Sequence, residues 1–279
     1  MRNSSIDVQP IAGALGAEVT GVDLSGPLDS QAVAEIEAAL YEHLVLFFRE
    51  QEITPDQHLE FAGRFGEILR YPLVHGLEEH PDIVPILKLA HETINFGGVW
   101  HSDTAYLQEP PQAAILVARE LPPTGGDTIW SNMYLAYEAL SDGMKRLLEG
   151  LVAVNDADKA EAATAREDRY VENPRADSGL ATVSEHPVIR THPETGKKIL
   201  FVNLAHTTRF ADMTVAESRP LLDYLFQHQH RPEFSCRLQW EPGTVAFWDN
   251  RATQHNPIND YNGHQRLMHR ITIAGERPV

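Results

Sequence analysis

An α+β fold built on a double-stranded β-helix, or jelly roll, of antiparallel strands flanked by helices is what the sequence predicts, on three observations. Seven short β-type runs are spread along the chain: HLVLFF (43–48), AAILVARE (113–120), DTIW (127–130), KILFVN (198–203), FSCRLQW (234–240), TVAFWD (244–249) and HRITIAG (269–275). Gly, Pro and Asn turns separate them without a regular strand-helix-strand alternation, which favours paired antiparallel sheets over a doubly wound parallel one. About four segments carry helical signals.

Taken in order, SQAVAEIEAALYEH (30–43) has helical periodicity. Thr54 is a cap with Pro55 at the first helical position of a segment running to Gly66. NMYLAYEALSDGMKRLLEGL (132–151) reads as a further helix, and Thr214 with Glu217 forms a capping box opening SRPLLDYLFQHQ. Residues 156–185 are charged, Ala-rich and poor in large apolar side chains, which predicts a mobile and partly helical excursion, a lid over a site.

The 279 residues are 42% hydrophobic, and no linker, repeat or composition shift divides them, so one domain over 1–279 is expected. The formal charge is 23 − 40 = −17 without a basic run, which disfavours nucleic acid and anionic membranes as partners. MRNSSIDVQP lacks the apolar core of a signal peptide, and apolar runs such as LVLFF (44–48) are too short to span a bilayer. A single cysteine, Cys236, excludes an intramolecular disulfide and a Cys-based zinc cage. A cytoplasmic protein is the expectation.

Within GVWHSDTAYL (98–107), His101 and Asp103 are two apart, so in an extended segment both face one side and can share an ion. Among 14 histidines such a pair is weak alone. His228 and His230, two apart at a helix end, diverge around the axis and are expected at the surface. His269 reads as a core histidine, and His43, His58, His186 and His192 have no partner pattern. His255 differs, because an apolar strand ends there in a polar turn and Arg266 and Arg270 follow.

The stretches GAEVTGVDLS, WHSD, LPPTGGDTIW, HPVIRTHPETGKKILFVN, WDNRATQH and RLMHR, in that order over nearly the whole chain, resemble the iron(II)- and 2-oxoglutarate-dependent dioxygenases of the taurine and 2,4-dichlorophenoxyacetate dioxygenase type. The resemblance implies that His101, Asp103 and His255 hold iron(II), a set that leaves positions open for cosubstrate and O2. It implies that Arg266, assisted by the Thr128 hydroxyl, receives the far carboxylate of 2-oxoglutarate. Succinate and carbon dioxide would be released as a C–H bond is hydroxylated. The carboxylate of Asp103 argues for hydroxylation, since related halogenases lack it. Family members commonly form dimers or tetramers, so a homo-oligomer is expected. Trp100 and Trp248 are read as walls of the site or as ordinary core.

Arg270, four residues after Arg266 on one strand face, matches the arginine that holds the substrate anion in taurine-type enzymes, so a small organic anion is the expected substrate. Tyr71 stands where those enzymes have a histidine, Val74 where they have a pocket tyrosine and Gly97 where they have an asparagine. Thr104 is assigned to the same pocket. These departures predict a sulfonate, sulfate ester or aryloxyalkanoate bulkier and more apolar than taurine. Two other readings use the same triad: a metal-dependent hydrolase, which needs neither Arg266 nor Thr128, and a non-catalytic jelly-roll binding protein, which would be expected to lack a ligand.

Overall fold

The computed structural model describes residues 6–71, 74–159 and 181–279. Its largest element is a seven-stranded sheet ordered β1-β2-β3-β13-β5-β15-β4. The strands are β1 (Asp7–Pro10), β2 (Ala17–Thr20), β3 (Val45–Phe48), β4 (Val84–Lys88), β5 (Ala113–Glu120), β13 (Val245–Asp249) and β15 (Arg266–Ile273). All pairs are antiparallel except β2 with β3. A three-stranded sheet joins β6 (Thr128–Asn132) to β12 (Ser235–Leu238) on one side and β14 (Thr253–Pro257) on the other. A further three-stranded sheet is ordered β11 (Thr207–Phe210), β7 (Val152–Asp156), β8 (Val183–Pro187), and β9 (Ile189–Thr191) pairs with β10 (Lys198–Leu200). The chain is thus a mixed α/β protein built mainly of antiparallel strands.

Alternation along the central strands separates two cores, because successive side chains leave a strand on opposite faces. Leu46, Phe48, Ile115, Val117, Val245, Phe247 and Ile271 face one way, into a core with helices α1 (Ser30–His43) and α2 (Pro55–Gly63). Val45, Phe47, Ala114, Ala246, Trp248 and Met268 face the other, against Trp130 of β6 and Leu238 of β12. The polar side chains that matter below lie on this second face, between the two sheets.

The capping signals are realised: Thr54 and Gln57 exchange hydrogen bonds at the start of α2, and Thr214 and Glu217 do so at the start of the helix Val215–Gln229, here α5. The helix predicted over 132–151 is two helices, α3 (Met133–Glu138) and α4 (Asp142–Leu148). Ser141 accepts from the Met144 N–H and so offers the backbone a new start where the periodicity suggested continuation, while Asn132 belongs to β6 and caps α3. Helices therefore number five among the described residues, with one 3-10 turn at Pro232–Phe234. Strands β1, β2, β4, β7, β8, β9, β11 and β14 were not predicted. The ends of the predicted excursion are structured, since Asp156 pairs with Val183 on β7 and β8. Its middle, 160–180, and the lid expected there lie outside the described residues. No described helix is long and apolar enough to cross a membrane.

His58 on α2 is fully buried beneath the sheet, where burial first, and then the charge of Arg119 and the neighbouring His269, push its pKa down to about 3. The folded protein holds it neutral while the unfolded chain takes up a proton near the ordinary value of 6.5. Its contribution to stability is therefore present above that value and is lost as pH falls towards 3. Urea unfolding across pH 7 to 4 should show a shallower loss of stability in His58→Leu than in the parent. Equal slopes would remove His58 from the acid response.

Candidate metal and anion site

His101 and His255 meet backbone to backbone. The His101 N–H donates to the His255 carbonyl at 3.1 Å and the His255 N–H to the His101 carbonyl at 2.8 Å, an isolated antiparallel bridge that brings the ring centroids to 4.2 Å. The Nδ1–H of His101 donates to the Val99 carbonyl at 2.7 Å. A carbonyl can only accept, so Nδ1 carries the hydrogen, which leaves Nε2 as the nitrogen turned to an ion. His255 is held neutral, its pKa pushed down to about 3 by burial and by the neighbouring His101. His255 is thus in the form a metal needs.

Asp103 does not reach the site by strand alternation. His101 occupies the bridge and Asp103 the turn after it. Asn250 fixes that turn: its Oδ1 accepts from the Asp103 N–H at 2.7 Å, and its Nδ2 donates to the Asp103 carbonyl at 3.1 Å and the Pro111 carbonyl at 3.0 Å. Asn250 is itself presented by a turn whose Asp249 accepts from Arg251 Nε at 3.0 Å, Arg251 Nη2 at 2.7 Å and His192 Nε2 at 2.9 Å. The Asp103 carboxylate stays ionised: burial would raise its pKa, but Arg270, with Nη1 at 2.8 Å from Oδ1, holds it well below the usual carboxylate range. Its Oδ2 has no partner among the described residues.

One donor atom from each of His101, Asp103 and His255 lies within 4.8 Å of the others, all three residues are buried, and no fourth His, Cys, Asp or Glu joins them among the described residues. Two imidazoles, a carboxylate with an unused oxygen and open sides fit an iron(II) ion that must also accept a cosubstrate. A zinc site of structural type would be closed by a fourth ligand.

Two recesses open on this cluster and share Phe96, His101 and Arg270. The larger, about 600 Å3, runs past Trp248 and Trp130 to Thr128 and Arg266. Arg266 is 4% exposed, and its Nε and Nη2 meet no partner among the described residues. Such a vacant pair of donors suits a carboxylate. Gly126, at φ +72°, permits this approach, since a Cβ there would stand 3.3 Å from Cδ and Nε of Arg266. The smaller recess, about 370 Å3, is lined by Tyr71, Gly97, Val99, Thr104, Ala205 and His206 besides the shared residues. Arg270 presents unpartnered Nε and Nη2 here, with its guanidinium carbon 4.6 Å from the Tyr71 ring centre. Thr104 holds φ +45°, a strained conformation for a β-branched residue, and its buried Oγ1 meets no partner among the described residues. A Cβ on Gly97 would lie 3.0 Å from the His101 ring.

Most of the residues singled out in the sequence therefore converge. Val74 does not, being half-buried and on neither recess. Arg270 is not wholly at the disposal of a substrate, because one of its nitrogens is engaged by Asp103. His228 and His230 are not surface residues. The His228 Nε2–H donates to the Ala136 carbonyl at 2.7 Å, and the half-buried His230 ring stacks on Trp100 with centroids 4.4 Å apart. Helix α5 packs its last turn inward, which a spacing argument along the helix alone does not reveal. Asn250, Trp240 and His206 were missed. Asn250 lies within WDNRATQH, and its fixed place before His255 was the one available signal.

A family model described as taurine catabolism dioxygenase TauD, TfdA family matches residues 7–272. The chain is 37% identical over 279 residues to an alpha-ketoglutarate-dependent sulfate ester dioxygenase of Pseudomonas putida, covering 98% of this chain and 91% of that protein. It is 37% identical over 276 residues to an alkylsulfatase of Acinetobacter baylyi, with coverage of 97% and 86%. The crystal structure of a taurine dioxygenase from Burkholderia xenovorans superposes with a TM-score of 0.83 at 38% identity, covering 99% of this chain and 93% of that one.

The Asn250 clamp should be visible in metal affinity. Removing a residue that orients a metal ligand typically costs roughly 10- to 100-fold in affinity. Asn250→Ala is expected to weaken Mn(II) binding, titrated by electron paramagnetic resonance, within that range. Binding as tight as in the parent would show that Asp103 is positioned without it.

Proposed function

The chain belongs to the taurine catabolism dioxygenase TauD, TfdA family, and from that premise we propose that it hydroxylates a small organic anion, with His101, Asp103 and His255 as the ligands of iron(II) and Arg266 with Thr128 as the receptor for 2-oxoglutarate. Members of this family are iron(II)- and 2-oxoglutarate-dependent dioxygenases, and this chain is one of them. The observation that carries the residue assignment is the three-ligand cluster with open sides, joined by one continuous recess to an arginine that has two vacant donors. The antiparallel sheets on either side of the cluster support the jelly-roll reading of the core.

Bound iron, cosubstrate and O2 supply the oxidation of an unactivated C–H bond, with release of succinate and carbon dioxide. The protein supplies position and charge. Arg266 and Thr128 fix the far carboxylate of 2-oxoglutarate, so its keto-acid end is directed towards the cluster. Trp130 and Trp248, both fully buried, line the larger recess beside His255 and keep water from that side. In the smaller recess, Arg270 offers two N–H groups and Thr104 a hydroxyl to the head group of the primary substrate, while Phe96, Val99 and Ala205 receive apolar parts.

Sulfate esters and sulfonates suit this set. Several donors converge on one spot, and the relatives at 37% identity act on sulfate esters by name. We assign the primary substrate to that class, with an apolar chain larger than that of taurine. Succinate release measured with alkyl sulfates, alkyl sulfonates, aryloxyalkanoates and taurine should rank an alkyl sulfate or sulfonate first by kcat/KM. Taurine as the best substrate would overturn the pocket assignment, and no succinate with any of them would overturn the substrate class.

The two arginines should separate in binding. Arg270→Ala is expected to lose turnover of the anionic substrate, by roughly 100-fold in kcat/KM for a buried charged contact. Arg266→Lys should instead weaken 2-oxoglutarate, followed by the visible absorption that keto-acid chelation of iron(II) produces without oxygen. Arg270→Ala with unaltered turnover would free the anion from that residue.

A further inference from the structure

Trp240 stands outside both recesses, yet it controls a group inside one of them. Its indole Nε1–H donates to Thr128 Oγ1 at 3.0 Å, and both side chains are buried, at 7% and 2% exposure. An indole N–H can only donate, so the Thr128 oxygen must accept. Among the described residues no hydrogen bond is given by the Thr128 hydroxyl. A buried hydroxyl that accepts on one side and has an unspent hydrogen is biased to donate on the other, and Thr128 lines the larger recess. The same indole ring lies 5.7 Å from the guanidinium carbon of Arg266. β6 and β12 bring these groups together, since Leu238 pairs with Thr128 and Trp240 follows two residues later.

We propose that Trp240 is a positioning residue for the cosubstrate: it commits the Thr128 hydroxyl to donate into the recess and backs Arg266, so that three donors rather than two meet the far carboxylate of 2-oxoglutarate. This inference rests on the assignment of Thr128 and Arg266 to that carboxylate. A threonine with no such partner can rotate, presenting a lone pair to an anion as readily as a hydrogen. Trp240 removes that choice before the cosubstrate arrives, which is preorganisation of a hydrogen bond rather than an added contact.

The test is a double-mutant cycle read by equilibrium binding. 2-Oxoglutarate is titrated without oxygen into the iron(II) protein, following the visible absorption, for the parent, Trp240→Phe, Thr128→Val and the double variant. Trp240→Phe is expected to raise Kd by about threefold to tenfold, the worth of one neutral hydrogen bond, and Thr128→Val, which loses a bond to a carboxylate, by roughly tenfold or more. The double variant should match the weaker single variant, because Phe keeps an aromatic ring behind Arg266 and removes only the hydrogen bond to Thr128. A Trp240→Phe protein with parental Kd overturns the proposal while Thr128→Val remains weakened, and so do effects that multiply in the double variant. If Arg266→Lys and Thr128→Val both bind as the parent does, the carboxylate assignment itself fails, and the proposal with it. Where Trp240→Phe lowers the melting temperature of the metal-free protein, Trp240→His keeps an N–H on a planar ring. Affinity within about twofold of the parent then supports the proposal, and affinity as weak as that of Trp240→Phe overturns it.

Discussion

Two backbone hydrogen bonds hold the chemistry in place. The reciprocal pair between His101 and His255 joins residues 154 positions apart, and it fixes the two imidazoles before any ion is present. Side-chain ligands on long flexible stems would lose conformational entropy on closing around a metal. Here most of that cost falls on folding, because β14 is already paired with β6 through His255 and Trp130. The third ligand is added by a different device. Asp103 sits in a turn, and a turn has no neighbouring strand to set its register, so the buried amide of Asn250 bonds both its N–H and its carbonyl.

Charge balance follows from the same arrangement. A carboxylate buried here would be raised in pKa by desolvation, and the Arg270 guanidinium reverses that effect. The arginine in turn has N–H groups left over, which makes it a partner shared between the cluster and the smaller recess. Arg266, four residues earlier on β15, lies too far along the strand to take part, and it faces the larger recess with its own vacant donors. Strand periodicity thus separates the two arginines, each with unpartnered nitrogens, by a fixed spacing, roughly 13 Å for four residues.

That separation was legible in the sequence, since Arg266 and Arg270 share a strand parity, and so was the meeting of His101, Asp103 and His255 once WHSD and WDNRATQH were taken with RLMHR. Helix starts at Thr54 and Thr214 were legible because a capping box is a local hydrogen-bond pattern. What could not be read was whatever depends on long-range pairing. The strands at 152–156 and 183–187 are set by pairing with each other and, for the first, with 207–210, and β14 is a strand of mostly polar residues, Thr-Gln-His-Asn-Pro, whose membership in a sheet is set by β6. His192, without a partner in sequence, is fully buried against Asp249, 57 positions away. The split between α3 and α4 was local, at Ser141, but periodicity outvoted the cap.

Sharing Arg270 has a consequence for selectivity. Its Nη1 is anchored to Asp103, so the two remaining nitrogens, Nε and Nη2, are held at a fixed place relative to the Asp103 carboxylate, and the Tyr71 ring limits how far the guanidinium plane can turn. An anion bound there is therefore located with respect to the cluster by the protein, whatever its chemical kind. Under the proposed assignment of the head group to Arg270 and Thr104, the carbon that is oxidised would be set by its distance from the head group, which need only supply oxygens for those two side chains. Sulfonates and sulfate esters differ by one bridging oxygen, which moves the reachable carbon along the chain by one bond. On this geometry the length of the substrate decides where it is oxidised, and the apolar wall of Phe96, Val99 and Ala205 decides how much chain can be held.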